Sequence, residues 1–426
     1  MGNISEQERN SITQALMAGV VPKRGLHHIQ VGRAREVEQV VDDFRKAESG
    51  GSIFRIFTGP YGSGKTFFLE LASQVALKLG FVVFQADLAP DRRIFGSKGV
   101  ARSLMQELGS NIAIEGQEGL DAWTEIFEKL MDRAKEKGDG RSLRKDVSAL
   151  TEPLLGGVGG YDFTFVVRAY VEAYESGDEP KMAAALRWLR AEYGTKTEAR
   201  NELEIRSIVS DEHLYDHWKN LNQLMRLAGF KGVFICLDEL VNIYKMPTAR
   251  SREQNYEQIL RIQNDLDQSA VSGLVVYLGG TPEFISDPRR GCYSYAALKS
   301  RLSPNPFASE DVIDVSGPVV PLGVLSREDY FVLLENIRGV MSGAHEQDVD
   351  IDDAGLAAFM THCEQRIGAQ YFRTPRESVR QFVQLLSTLE QNPGKTWRDL
   401  LPEVRIEEDH GADADKPHNE LQGFSL

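Results

Sequence analysis

The sequence predicts an α/β protein: a parallel sheet split by a long helical insertion and followed by a small helical domain. Three observations carry that prediction. A strand, glycine-rich loop, helix and strand succeed one another between residues 52 and 88. Helical periodicity then dominates from about 97 to 228, and short apolar strands return between 231 and 317.

In order, residues 1–30 read as a short helix (SEQERNSITQALMAG) and an irregular arm. A second helix follows VGR, from Glu36 to Glu48, with Val37, Val40, Val41 and Phe44 at helical spacing. SIFRIFT is β-branched and aromatic, hence a buried strand. It runs into a glycine-rich turn and the helical stretch TFFLELASQVALKLG, which Gly80 stops. FVVFQADL is the next strand, and strand–helix–strand at this spacing makes a βαβ unit with parallel strands. The insertion holds VARSLMQELGSNI, LDAWTEIFEKLMDRAKEK, FTFVVRAYVEAYES, MAAALRWLRAEYG and HLYDHWKNLNQLMRLAG as helices. GDG (138–140) and GGVGG (156–160) are expected to be breaks, the second a flexible turn. The later strands are KGVFICLDE, GLVVYLGGT and EDVIDVSG (310–317). Helices resume from Ser326 to about Glu390.

Composition narrows the class. With 42% hydrophobic and 26% charged residues the chain is globular in type. No apolar run approaches the ~18 residues of a membrane span. The polar N-terminus lacks a signal-peptide core, so the cytoplasm is the expected compartment. Cys236, Cys292 and Cys363 are far apart, which argues against a disulfide framework or zinc site. A net charge of −14 argues against strong autonomous DNA binding by phosphate neutralisation. Part of the acidic excess falls in a tail expected to be disordered.

The chemistry is concentrated in GPYGSGKT, which matches G-x-x-x-x-G-K-[ST] between a predicted strand and a helix. Gly59, Pro60, Tyr61, Gly62, Ser63 and Gly64 would curl backbone N–H groups around phosphate oxygens, with Phe67 following at the helix start. Lys65 is expected to neutralise the β- and γ-phosphates of ATP, and Thr66 to ligate Mg²⁺. VFICLDE would deliver Asp238 and Glu239 at the C-terminal end of a central strand, where open parallel sheets bind ligands. Asp238 would hold Mg²⁺, directly or through water, and Glu239 would polarise the attacking water. An Asp-Glu pair points to hydrolysis of ATP. The guanine-reading Asn/Thr-Lys-x-Asp and the LSGGQ signature are both missing. Thr281 ends the strand GLVVYLGGT and would lie beside that water, the alternative being a plain strand-ending turn. Arg301, with Arg289 and Arg290 behind it, is the candidate to reach a neighbouring subunit's γ-phosphate, the alternative being surface ion pairs. Arg376, after Pro375 at a helix start, is a candidate for the γ-phosphate from within the chain.

In this order, Gly32-Arg33, phosphate loop, Asp-Glu strand, Thr281, Arg301 and Pro375-Arg376 resemble an AAA+ ATPase. The VGR-x-x-E element Val31–Glu36 is similar to that of the origin-recognition and Cdc6-like branch. The resemblance implies an α/β P-loop AAA+ fold with a C-terminal helical lid. It makes Thr281 sensor 1, Arg301 the arginine finger and Arg376 sensor 2, and puts Val31, Gly32 and Arg33 near the nucleotide. Longer strings are similar to the BrxD family of ATP-binding proteins: GVVPKRGLHHIQVGRAREVEQV, GPYGSGKTFFLEL, ADLAPDRRIFG, ALRWLRAEYG and GGTPEFISDPRRGCYSYAALKSRL. That family belongs to bacterial BREX phage-defence loci and often lies beside a superfamily 2 helicase.

The expected organisation is an N-terminal helix and arm (1–30), an ATPase core (31–96 and 229–320), the insertion (97–228), the lid (321–392) and an acidic tail (393–426). The expected function is ATP-driven assembly or remodelling in phage defence. The protein would act as a homo-oligomer with nucleotide at subunit interfaces, together with a helicase or other defence partner, and with DNA bound weakly if at all. A slowly hydrolysing ATP-gated switch and a DNA-translocating motor are the alternatives.

Overall fold

The structure, a computed structural model, describes residues 4–307, 314–342, 351–367 and 375–404. The chain divides into two compact units. One draws on Met1–Ala34, Gly59–Leu71 and Leu322–Leu426, the other on Arg35–Thr58 and Ala72–Pro321.

The larger unit is built on a seven-stranded sheet: β1 (Ile53–Thr58), β2 (Val82–Asp87), β3 (Ala113–Ile114), β4 (Gln117–Glu118), β5 (Val233–Asp238), β6 (Leu274–Gly280) and β7 (Val319–Pro321). Their order is β4-β3-β2-β5-β6-β1-β7. The five strands β2, β5, β6, β1 and β7 pair in parallel. Every residue of β5 and β6 is buried, as continuous apolar runs in a parallel sheet require. β6 lies between β1 and β5, so the strand ending at Thr281 separates the strand entering the phosphate loop from the one ending in Asp238.

Four sequence expectations change here. The sheet is mixed, because β3 and β4 add an antiparallel hairpin to the edge of β2. Two-residue strands turning at Gly116 are too short to show any period. Of the strand expected over 310–317, residues 314–317 are not in a strand, and the strand here is β7 at Val319–Pro321. Residues 310–313 lie outside the described residues. At Asp314 the carboxylate accepts the Ser316 N–H (2.9 Å) and O–H (2.6 Å), a local turn that competes with a ladder. The GGVGG turn is pinned, since Asn220 Nδ2 donates to Val158 O at 2.9 Å. A 19-residue helix, Ala249–Asp267, also joins β5 to β6 where no element was assigned. Its buried side includes Arg252, Asn255 and Gln263, which blurs the apolar stripe. Asn255 is satisfied by the N–H (3.0 Å) and C=O (3.1 Å) of Phe95.

The insertion shares its core with the sheet. One apolar cluster runs from Phe54 and Phe84 through Trp123, Phe127 and Tyr170 to Tyr256 and Leu302, with Phe127 stacked on Tyr170 at 3.9 Å. Its helices include Gly119–Lys137, Gly160–Ser176 and Leu214–Ala228. Inside β1, Arg55 is buried. Its guanidinium is paired with Asp43 and donates to the carbonyls of Val315, Ser316 and Gly317. Tyr277 donates to the same carboxylate at 2.7 Å.

The smaller unit is helical: Glu6–Met17, Leu26–Ile29, Arg327–Ser342, Asp353–Ile367 and Pro375–Gln391. Ser5 and Glu8 form a capping box at the first of these. Phe359 packs on Phe382, and Tyr330 donates to Ser378 at 2.7 Å. The tail expected to be disordered from 393 carries a short helix, Trp397–Leu400, because Asp399 accepts the Thr396 N–H and O–H at 2.8 Å each. Residues 405–426 lie outside the described residues. Among the described residues no helix is long and apolar enough to cross a membrane.

Candidate functional site

The phosphate-loop motif leaves β1 at Thr58 and opens the helix Lys65–Lys78. Gly62 (φ 72°) and Gly64 (φ 81°) take left-handed conformations that turn the backbone toward the helix start. At Gly59 a Cβ would meet Ser63 Oγ at 2.5 Å and Leu322 O at 3.2 Å, so a side chain there would have to displace the serine hydroxyl. Lys65 folds back over the loop, its Nζ donating to Gly59 O and Pro60 O at 2.9 Å each. The first N–H groups of a helix lack intrahelical acceptors. Together with the ammonium they make this loop a cationic, donor-rich cradle suited to phosphate oxygens.

Two predicted residues, Arg33 and Arg376, contact that loop within the same unit. Arg33, itself at φ 56°, donates to Ser63 O, to Gly64 O (3.3 Å) and to Gly323 O (3.1 Å). It therefore braces the loop's backbone from behind, a role the sequence does not announce. Gly32 (φ 60°) sits where a Cβ would lie 3.3 Å from the Asp329 carboxylate, one residue beyond Val31. Arg376, in the first turn of Pro375–Gln391, donates through Nε to Gly19 O (2.7 Å) and through Nη1 to the Tyr61 hydroxyl (3.2 Å). Thr66 and Phe67 occupy the helix's first turn.

The other unit carries the acidic strand end. Asp238 is buried at the terminus of β5, and its Oδ1 accepts the Glu239 N–H at 2.8 Å. Glu239 holds φ 61°, a left-handed conformation that is rare for a residue with a Cβ. Strain of that kind persists where surrounding bonds over-determine it. Here Leu240 N–H is taken by Gly279 O (3.0 Å), and Asn242 Nδ2 bridges Leu88 O (2.8 Å) and Glu239 O (3.3 Å). Asp87, aligned with Asp238 across β2 and β5, joins this cluster. Desolvation, and then the charge of Asp238, raise its carboxyl pKa above the ordinary value. Sequence reasoning missed Asp87 and Asn242, although QADL ends its strand as ICLD does.

Thr281 is half-buried and caps the helix Pro282–Ser286, its Oγ1 accepting from Phe284 N–H at 3.4 Å. Of the three candidate arginines, Arg290 is engaged inside its own chain. It donates to Tyr244 O (3.1 Å) and Met246 O (3.2 Å) with its guanidinium 5.5 Å from the Tyr244 ring centroid. Arg289 and Arg301 are exposed, Arg301 at the last turn of Ala296–Leu302 with Asp267 as an electrostatic neighbour.

A family model described as BREX system ATP-binding protein BrxC/D matches residues 4–405. The chain belongs to this family. It is therefore an ATP-binding protein of a BREX phage-defence system, and the BrxC/D match extends over the insertion as well as the loop-bearing unit. No curated protein matches the chain.

Proposed function

We propose that this BrxC/D-family protein hydrolyses ATP with water and uses the nucleotide cycle to drive assembly or remodelling in phage defence. The observation that carries this reading is the end of β5. There a buried Asp238 fixes the backbone of a strained Glu239, and Thr281 ends the next strand. An acidic pair held this firmly suits water activation better than phosphoryl transfer to a bound hydroxyl substrate.

In this reading Lys65 and the loop N–H groups hold the phosphates, while Arg33 keeps the loop's carbonyls turned away from them. Thr66 and Asp238 are the Mg²⁺ ligands, a hydroxyl and carboxylate donor set that suits this hard cation. When bound, the ion neutralises phosphate charge. Glu239 orients the water and accepts its proton, and Thr281 holds that water in line. Arg376 stabilises the γ-phosphate from within the chain. The internal engagement of Arg290 leaves the exposed Arg289 and Arg301, and Arg301, in the last turn of its helix, is our candidate for the arginine offered to a neighbouring subunit. A helicase or other defence component is the proposed partner, with DNA secondary because of the −14 charge.

The test is ATP turnover measured against protein concentration, with and without DNA. Lys65→Ala should lose ATP binding. Glu239→Gln and Arg301→Ala should retain binding and lose hydrolysis, and specific activity should rise with oligomer formation. A rate independent of concentration and indifferent to Arg301→Ala would sink the subunit-interface claim. Very slow turnover with ATP-dependent partner binding would favour a switch. Salt-sensitive DNA stimulation would favour a motor.

A further inference from the structure

Outside the phosphate loop, the N-terminal arm brings together three side chains whose chemistry the ATP reading does not use. Glu8 lies in the first turns of Glu6–Met17, and His27 and His28 lie in the single turn Leu26–Ile29. One ligand atom from each falls within 4.8 Å of the others. The His28 Nε2 is buried without a hydrogen-bond partner and faces Glu8 Oε2 at 3.8 Å, too long for a hydrogen bond. The two imidazoles stand with centroids 4.0 Å apart. Buried imidazole nitrogens are normally hydrogen-bonded, and this one has only the Glu8 carboxylate at ion-pair range, so a cation shared with the second imidazole would satisfy it.

The approach is built into the backbone. At Gly25 (φ 74°) a Cβ would meet Ile12 Cδ1 at 2.9 Å and Glu8 Cβ at 3.1 Å. Glycine there lets the first helix close onto the histidine turn. Glu8 is also oriented independently, since its Oε2 accepts the Ser5 N–H (3.1 Å) and O–H (2.7 Å).

We infer that Glu8, His27 and His28 form a binding site for a zinc-like divalent cation that ties the N-terminal helix to the arm leading into Arg33. Two imidazoles and one carboxylate are a donor set typical of zinc, with water in the fourth position. Ligand atoms around a tetrahedral zinc lie about 3.4 Å apart, from bonds of about 2.1 Å. Small side-chain rotations bring these three into range.

The full chain, stripped of metal with a chelator and kept free of nucleotide, is titrated with Zn²⁺, and binding is followed by calorimetry and thermal unfolding. One saturable equivalent should bind and raise the melting temperature. His27→Ala/His28→Ala should lose that equivalent and the thermal shift. Glu8→Gln keeps the capping box but removes the anionic ligand, and should weaken binding without unfolding the helix. Co²⁺ in place of zinc should give visible tetrahedral bands that the double variant lacks. The inference is overturned if wild type binds no equivalent, or if the double variant, folded by circular dichroism, binds zinc as wild type does.

Discussion

The guanidinium of Arg376 reaches the hydroxyl of Tyr61 at 3.2 Å, tying the first turn of Pro375–Gln391 to the phosphate loop. The same guanidinium holds Gly19 O. Hydrogen bonds of a charged guanidinium to neutral oxygens are worth roughly 1.5–3 kcal/mol, and a γ-phosphate, charged itself, is the stronger acceptor. Arg376→Ala should lower kcat at least about tenfold while ATP affinity holds, whereas Tyr61→Phe should change kcat by less than about fivefold. Steady-state kinetics and nucleotide titration read both. Equal losses would mean that Arg376 works through Tyr61 rather than on phosphate.

Arg33 donates to carbonyls of Ser63, Gly64 and Gly323. Hydrogen bonds to charged groups contribute roughly 1.5–3 kcal/mol, so Arg33→Ala should weaken ATP binding by about tenfold or more. Arg33→Lys should not restore it, because a point charge cannot reproduce the planar fork. Fluorescent-nucleotide titration decides the matter, and full rescue by lysine would contradict the bracing role.

Arg55 and Asp43 are a buried ion pair with Tyr277 as third partner. Removing one charge strands the other, so Arg55→Met should destabilise by roughly 3–5 kcal/mol. Arg55→Met/Asp43→Leu should cost markedly less than the sum of the single changes. A double-mutant cycle in urea measures this, and additive losses would refute the coupling.

His217 is buried and donates through Nε2 to Leu189 O (2.8 Å), and desolvation pushes its pKa down to about 4. The folded value lies below the ordinary one of about 6.5, so between those values the unfolded chain binds the extra proton. Stability should therefore be intact above pH ~6.5 and fall by about 3 kcal/mol as pH drops toward 4. His217→Gln should flatten that part of the pH–stability curve; an unchanged slope would exclude His217 as its source.

Much of this protein was legible because its signals are local. A phosphate loop is eight consecutive residues, Gly59–Thr66, between a strand and a helix whose periods are visible on either side. The apolar run ending in Asp238 likewise declares a buried strand by itself. The helix Ala249–Asp267 was harder, since buried Arg252 and Asn255 look like surface until Met246 and Phe95 supply their partners. Arg55 reads as an interruption in an apolar strand until Asp43 and Tyr277 are seen against it.

By itself, then, the sequence determined the α/β class, the glycine-rich loop between strand and helix, and the acidic strand end. Those rest on the backbone habits of neighbouring residues. Only the tertiary structure decided that Arg33 braces the loop, that Arg290 is engaged internally, that Glu239 is held left-handed, and that Glu8 meets His27 and His28. Each of these depends on a partner distant in the chain or on backbone held by such partners, and such pairings have no period to read.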